Sequence, residues 1–584
     1  MISMQKLSSR LNIKIKVSAF EQAFICLRRV FQMLDSHYDW TPAATVSSVP
    51  ELLRTLYTRR GITSNQAVKA FLRPSVKTVY DSFALHDMNK AVDRIRQAIK
   101  NQEQITVYGD YDADGVTSTT LMTETLAQLG ARVSYYIPDR FRDGYGPNKA
   151  AYERLLKSGT QLVVTVDNGV SGKSVIDSAV EAGMDVVITD HHQLPKELPT
   201  KAAAIVHPAY PGSSYPFKGL SGVGVAWKVA WALLGHKPME KLDLVAIGEL
   251  ADVMPVNDEN RWLIQTGLLQ IEKTSRPGLR RLLADVGLYN ESVDSTDVGF
   301  KIAPALNSMG RIGDSSQAIK VLAPAGWFEE TEVDELVDQL ADLNQKRKDM
   351  VHEISEQAYK LADQNHNEAL ILAGQGWHPG VVGLVAQNVL EYTGKPTVVA
   401  SNLDHGPVLK GSGRSREGFD LYAALDPHRD LMVGFGGHPQ ACGLSVNQNQ
   451  VAALQEAFNA EAKKQGFNSQ VKPKLVVDAI VKPGVLNHIR SYQLVHNLQP
   501  FGLQNTEPIF ELQHVTPTNF YQMGKHNEHL KFRAGGITCI DFFVDPHLID
   551  DLMDQELDVC GHLTLNTFRG QTSVEMIIDD IRVN

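Results

Sequence analysis

Four short β-branched runs, at residues 105–108, 133–137, 162–166 and 186–189, are each separated from the next by a segment of helix length. Strand–helix alternation of this kind predicts a parallel sheet with helices on both faces. Open sheets of this type carry their sites beyond the C-terminal ends of the strands. Three of the four runs end there in acids or histidines. Asp110, Asp112 and Asp114 follow the first in Tyr108-Gly-Asp-Tyr-Asp-Ala-Asp-Gly115, Asp167 follows the third, and Asp190-His191-His192 closes the fourth.

Alternate side chains of an extended loop share a face, so the spacing of Asp110, Asp112 and Asp114 predicts converging carboxylates. Such carboxylates repel one another, and burying them together is costly unless a cation is bound. A calcium loop of the EF-hand type needs Gly at its sixth position and Glu at its twelfth. Counted from Asp110 these are Gly115 and Leu121, so the closing ligand is missing. A lone Asp or His at a strand end is ordinarily structural, but three such ends in one sheet point to a metal site. Mixed carboxylate and imidazole ligands suit manganese, magnesium or iron. Asp252, on the mostly apolar segment 246–255, is expected to reach the same ions, because a carboxylate on a buried face is expensive unless compensated. Gly222-Val-Gly224 lacks the third glycine of a dinucleotide fingerprint and any Gly-Lys-Ser/Thr, which excludes a nucleotide loop.

At roughly 150 residues per domain, a chain of 584 residues predicts about four domains. Hydrophobic residues at 43% and charged residues at 21% exclude a largely disordered or collagen-like chain. No run reaches the roughly 18 apolar residues of a membrane span. Cys26, Cys442, Cys539 and Cys560 have no paired or finger-like spacing and read as free thiols in a reducing compartment. Residues 1–32 are basic but contain no clean apolar core with a cleavage site. They read as a non-structural extension, with Met33 as an alternative start.

Apolar residues from Val333 to Leu361 recur at largely three-and-four spacing, which predicts a long helix over about 329–363, or a helix pair, between two lobes. A second α/β pattern follows, with strands at 369–373 and 397–400 and a helix at 381–390, and Gly-rich turns then punctuate 411–443. Beyond about residue 472 the period becomes two, with runs at 474–481, 508–512, 537–544 and 557–566, which predicts a small β-barrel.

The Gly-Asp-Tyr-Asp-Ala-Asp-Gly, Val-Asp-Asn-Gly, Asp-His-His and Ala-Asp-Val-Met-Pro segments, in this order, resemble the DHH phosphoesterase superfamily, and within it the single-strand-specific exonucleases. Similar segments continue through residues 138–146, 303–313, Gly411-Ser-Gly-Arg-Ser415 and 436–443. The resemblance implies an N-terminal extension over 1–40 and a DHH catalytic domain with a helical preface over 41–325. A connecting helix over 326–366, a DHHA1 substrate-binding lobe over 367–468 and an OB-fold over 469–584 follow. Two α/β lobes would thus flank a cleft, with the barrel closing one side.

By the same resemblance, Asp112 and Asp114 would ligate different ions of a two-metal centre holding Mn2+ or Mg2+. Asp167 would bridge the ions, His191 and Asp252 would complete the second site, and Asp110 or water would fill the first. Many small members carry a histidine where this chain has Tyr108. Asp190 and His192 would be supporting groups, with His192 able to contact phosphate or act as an acid. Ser412, Gly413 and Arg414 would grip the 5′ end, Arg140 and Arg311 would approach from the catalytic side, and His438 would sit beside the scissile phosphate. Lys525, Lys531 and Arg533, near Phe520, Tyr521 and Phe532, would track a single strand.

The implied activity is two-metal-ion hydrolysis of single-stranded DNA, 5′→3′, to mononucleotides in recombination and repair. It implies a cytoplasmic monomer that works with a helicase and a single-strand-binding protein. A phosphodiesterase for short RNA or cyclic dinucleotides, and a non-catalytic repair scaffold, are the competing readings. Formal charge is −10, and pooled acidity argues against binding nucleic acid by bulk charge. Two divalent ions at the acid cluster would add four positive charges where phosphate must approach.

Overall fold

The computed structural model describes residues 36–403, 406–524, 529–542, 552–553 and 555–584. The extension over 1–35, Cys26 and Lys525 lie outside the described residues. The chain forms two compact units, one of residues 69–347 with 499–506, the other of 36–68, 348–498 and 507–584. No helix among the described residues is long and apolar enough to cross a membrane.

In the first unit, β1 (Gln104–Tyr108), β2 (Arg132–Tyr136), β3 (Leu162–Val166), β4 (Asp185–Thr189) and β5 (Ala204–Val206) form a parallel sheet in the order β2-β1-β3-β4-β5. Alternation along the strands builds two cores. Ile105, Val107, Leu162, Val164, Val166 and Val187 face one, while Tyr108, Val163, Val186 and Ile188 face the other. Both faces are covered, so the strands read as continuous apolar runs, as parallel strands do. β5 is only three residues long and leaves no periodic signal. The strand order reverses direction between β1 and β3, and that switch point is where such sheets place ligands.

Helix α1 (Ala113–Gln128) follows β1 directly. α2 (Gly222–Leu234) and α3 (Leu242–Ala251) are buried on nearly every side. α4 (Asp258–Ile271) is tied to α2 by a fully buried ion pair, Lys228 Nζ to Glu259 at 2.6 Å. Removing one partner of such a pair would strand a charge in the core, at a cost of about 3–5 kcal/mol.

A single helix, α5 (Glu330–Asp363), covers the long amphipathic stretch. The second unit continues with β6 (Leu370–Gln375), α6 (Val382–Thr393), β7 (Thr397–Asn402), β8 (Val408–Arg414), β9 (Met432–His438) and β10 (Ala441–Asn447), in the sheet order β9-β10-β8-β7-β6. The Gly-rich turns expected across 411–443 are largely strand: β8 pairs with β10 without a break from Val408↔Asn447 to Arg414↔Ala441. Glycine weakens the strand signal in the sequence, but it does not prevent backbone pairing.

The C-terminal strands are β11 (Phe510–Val515), β12 (Thr518–Met523), β13 (His529–Ala534), β14 (Ile537–Phe542), β15 (Leu557–Phe568) and β16 (Gln571–Val583). They pair in the order β12-β13-β14-β16-β15-β11, and the sheet continues through Ala479–Val481 to Thr45–Val46. A second short pairing joins Asp39–Trp40 to Lys474–Leu475. The extension expected to run through residue 40 is therefore structured from Ser36 onward. Residues 41–68, expected to open the catalytic domain, belong instead to the unit built on the C-terminal strands. Conversely, 499–506, expected in the OB-fold, belongs to the first unit, where Leu503 O accepts from Val256 N at 2.8 Å. Cys442, Cys539 and Cys560 are buried free thiols.

Candidate metal centre

Beyond the C-terminal ends of β1, β3 and β4, ligand atoms of three residue groups lie within 4.8 Å of one another: Asp110, Asp112 and Asp167; Asp114, His191 and Asp252; and Asp167, His191 and His192. The three acids after β1 do not share one extended face. Asp112 caps α1, its Oδ1 accepting from Gly115 N at 3.0 Å, and the helix begins at Ala113. Asp114 is thereby carried into the first helical turn and joins a different group from Asp110 and Asp112. An N-cap aspartate satisfies amides that the helix leaves unpaired, which fixes where α1 starts.

Asp167 adopts φ 61°, in the left-handed region, and its amide donates to Thr189 O at 3.1 Å. Such a conformation costs about 1–3 kcal/mol in a non-glycine residue and is characteristic of functional turns. Asn168 clamps the turn, its Nδ2 donating to Tyr108 O at 3.2 Å and Val166 O at 2.9 Å. Asp190 organises the next turn. Its Oδ1 accepts from the amides of His191 (2.7 Å) and His192 (3.1 Å), and its Oδ2 accepts from Val170 N at 2.9 Å. His191 Nε2 is thereby set 3.1 Å from Asp167 Oδ1 and 3.5 Å from Asp252 Oδ2. Asp252 is the C-cap of α3. Tyr108 points into the core, with its hydroxyl on Gly146 O at 3.0 Å.

No local pattern in the chain marks the loop that seats Asp114. Ser221 Oγ (3.1 Å) and the amides of Gly222 (2.6 Å) and Val223 (2.9 Å), at the start of α2, all donate to its carboxylate. A helix N-terminus favours a carboxylate there. The Gly-Val-Gly dismissed as a nucleotide loop thus has its role here. A Cβ on Gly222 would lie 2.4 Å from Asp167 Cβ, and one on Gly248 would lie 2.5 Å from Asp114 Oδ1, so neither position admits a side chain. Tyr145 was likewise missed as a partner: its hydroxyl lies 2.9 Å from His192 Nε2.

The cluster is electrostatically strained as it stands. Burial, and then neighbouring carboxylates, drive Asp110 and Asp167 well above the usual carboxylate range. The same causes push Asp114 up to about 6 and Asp252 up to about 8. Asp110 Oδ1 is buried without any hydrogen-bond partner. Burial and the neighbouring His192 lower His191 to about 3, leaving its imidazole neutral, the form that ligates metals. A cation would satisfy both the stranded oxygen and the repulsion, and a hard oxygen and imidazole set without thiolate fits Mn2+ or Mg2+.

Arg140 lies over the Tyr111 ring, its Cζ 5.1 Å from the centroid. It lines a cavity of about 380 Å3 with Tyr136, Arg142, Gly310 and Ser316, and Arg311 follows Gly310 on helix Ala303–Ile312. In the second unit, Arg414 and His438 both pair with Ala441, from opposite sides of β10, so they share one end of that sheet. Arg414 Nη1 donates to Ser412 Oγ at 2.9 Å and Gly413 O at 2.7 Å. Lys531 and Arg533 share a face of β13, with exposed Tyr521 directly across from Lys531. Lys531 is paired with Glu575 at 2.7 Å, and Phe532 on the opposite face is core.

This arrangement of ligand-bearing turns at the switch point of a parallel sheet is that of a DHH-type phosphoesterase domain. The DHH family, N-terminal domain matches residues 104–249, the DHHA1 domain 366–464 and the RecJ OB domain 477–580. The chain belongs to the RecJ family. It is 36% identical to the single-stranded-DNA-specific exonuclease RecJ of Bacillus subtilis (strain 168), over 92% of this chain and 68% of that protein. It is 33% identical to the protein of that name from Escherichia coli (strain K12), over 92% and 96%. The crystal structure of RecJ from Thermus thermophilus in complex with Mn2+ superimposes with a TM-score of 0.79 at 29% identity, covering 94% of this chain and 80% of that one. The same protein in complex with Mg2+ gives 0.74.

Proposed function

We propose that this chain is a metal-dependent exonuclease that degrades single-stranded DNA 5′→3′ to mononucleotides in DNA recombination and repair. The observation that carries the reading is the convergence of Asp110, Asp112 and Asp167 on one side of the cluster with Asp114, His191 and Asp252 on the other. Its likeness over nine-tenths of its length to proteins named single-stranded-DNA-specific exonucleases supports the substrate class.

The first group would hold one Mn2+ or Mg2+ ion and the second group another, with Asp167 shared between them. Such a pair of ions supplies the charge that activates water and stabilises the leaving oxygen in phosphodiester hydrolysis. The chain's own residues do the rest. Asp190 orients the turn and holds His192 Nδ1 at 2.8 Å, and the Tyr145 hydroxyl, 2.9 Å from Nε2, would have to give way for Nε2 to donate to a phosphate oxygen or a departing alkoxide. Arg140, which forms no ion pair among the described residues and rests on Tyr111, is placed to meet phosphate, and Arg311 adds a second charge nearby. Ser412, Arg414 and His438 would bind the terminal phosphate, whereas the Gly413 backbone, expected to join them, is taken up by pairing with β7 and β10. The face of Tyr521, Lys531 and Arg533 would track the strand by stacking and charge. Substrate that begins as duplex requires an unwinding partner, so a helicase and a single-strand-binding protein are the expected companions of a cytoplasmic, monomeric enzyme.

The test is digestion of end-labelled single-stranded DNA with Mn2+ by wild type and Asp167→Ala. The reading predicts mononucleotides from the 5′ end with wild type and none with the variant. Cleavage of dinucleotides alone would favour the small-substrate phosphodiesterase. Strands bound but left intact would favour a scaffold, and equal digestion of blunt duplex would refute the strand selectivity.

A further inference from the structure

Behind the loop that seats Asp114 stands a buried polar pair that touches no predicted ligand. Glu249, on α3, is fully buried, and its Oε1 accepts from Ser221 N at 3.1 Å. Its Oε2 accepts from Asn260 Nδ2 at 2.8 Å, and the same Nδ2 donates to Gly219 O at 2.7 Å. Asn260, also fully buried, belongs to α4, which the Lys228–Glu259 pair locks to α2 at the adjacent residue. The loop is therefore gripped from behind at two backbone points, the carbonyl of Gly219 and the amide of Ser221. Its front presents Ser221 Oγ and the amides of Gly222 and Val223 to Asp114. It also packs Gly222 against Asp167, with no room for a Cβ between them.

We propose that Glu249 and Asn260 are positioning residues, which set the separation of Asp114 and Asp167 through the Gly219–Val223 loop and so tune divalent-ion affinity without touching the ions. The proposal rests on the metal-dependent reading above. A fully buried carboxylate is costly in an apolar helix, and an apolar side chain would fill the same volume more cheaply. What the carboxylate adds is two rigid acceptors spanning a gap between the loop and α4. Groups that orient metal ligands from behind commonly change affinity by about 10- to 100-fold when removed.

The experiment titrates Mn2+ into full-length metal-stripped protein without DNA, following the free-ion EPR signal, with circular dichroism to show that each variant is folded at the working temperature. Glu249→Ala and Asn260→Ala are expected to weaken Mn2+ binding by about 10- to 100-fold. In digestion assays they should raise the half-saturating Mn2+ concentration while leaving the KM for DNA unchanged. Glu249→Gln still accepts from Ser221 N. Its amide nitrogen replaces the oxygen that accepts from Asn260 Nδ2, so the tie to α4 is lost while the tie to the loop is kept. This variant should fall between wild type and the alanine variants, weaker than wild type by about fivefold, the size of one ordinary hydrogen bond.

Lowered melting temperatures with wild-type Mn2+ affinity in both alanine variants would overturn the proposal, leaving the pair a packing feature. If Glu249→Ala does not fold, Asn260→Ala decides alone: wild-type Mn2+ affinity overturns the proposal and a loss of about tenfold supports it. A wild-type chain that takes up no Mn2+ would overturn the metal-dependent function itself, whereas wild-type uptake with unaffected variants overturns only the positioning role.

Discussion

Asp190 Oδ1 lies 2.8 Å from His192 Nδ1, and the same oxygen accepts the backbone amides of both histidines that follow it. One carboxylate thus fixes the turn that carries His191 and the charge state of His192. Burial disfavours the imidazolium, but the hydrogen bond and charge of Asp190 outweigh it and raise His192 to about 9. Burial also opposes the Asp190 carboxylate, yet His192 and the amide of Val170 hold it below the usual range. In metal-free protein, the His192 ring protons followed by NMR should titrate near pH 9 in wild type. In Asp190→Asn, with the charge gone, they should titrate below 7. An unchanged midpoint would show that Asp190 does not set the protonation of His192.

Without metal, the cluster makes stability fall as pH rises. Asp252, pushed up to about 8, and Asp114, up to about 6, hold protons in the folded state that they lose near pH 4 when unfolded. Groups with raised folded pKa values contribute stability that is complete below their unfolded values and is lost as pH climbs through the folded ones. His192 acts in the same sense between about 6.5 and about 9. Melting temperature in EDTA should therefore decline from pH 5 to pH 8.5. Saturating Mn2+ should flatten that decline, because the ions bind the ionised form. Parallel curves with and without Mn2+ would contradict the assigned site.

Asp167 sits in two of the three ligand groups, and burial and four neighbouring carboxylates all oppose its charge. Asp167→Ala should cost at least about 100-fold in activity, the scale on which even groups behind metal ligands act. The same substitution relieves repulsion inside the metal-free cluster, so at pH 8 and in EDTA the variant should melt no lower than wild type despite its lost side chain. Calorimetry on the two stripped proteins checks this, and a lower melting temperature in the variant would mean that the carboxylate is satisfied without a cation.

The sheet and most of its ligands were legible because both are written locally. Apolar runs mark the strands, and each ligand lies within a few residues of a run's end. Asp252 was legible for a different reason, as a carboxylate at the end of a mostly apolar helix. The division of Asp110 and Asp112 from Asp114 was implied by the family resemblance but not by the spacing of the acids, because it depends on α1 starting at Ala113 and not a turn later. Nor was the seat of Asp114, which meets Gly222 and Val223 across more than 100 positions of sequence. The strands over 408–447 were hidden by their glycines. What the chain says poorly is which distant backbone groups answer a buried carboxylate.

The N-terminal segment shows the same limit in the second unit and gives a sharp test. Asp580, on β16, accepts from Ser36 Oγ at 2.6 Å, His37 N at 3.1 Å, Tyr38 N at 3.2 Å and Trp40 Nε1 at 2.8 Å. Arg582 lies over the Trp40 ring, its Cζ 4.2 Å from the centroid. Burial opposes the Asp580 charge, but the donors from His37, Ser36 and Trp40 outweigh it and hold the carboxyl below its ordinary value. A depressed carboxyl contributes stability above its unfolded pKa, near 4, and loses it as pH falls through the lower folded value. Asp580→Ala would leave several donors without an acceptor and should destabilise the unit by about 2–4 kcal/mol, from hydrogen bonds to a charged group worth roughly 1.5–3 each before relaxation. Removing residues 1–40 should cost as much, and adding Asp580→Ala to that deletion should then cost little more. Urea denaturation of the three variants measures the coupling; full additivity would show that the segment from Ser36 to Trp40 is not held by Asp580.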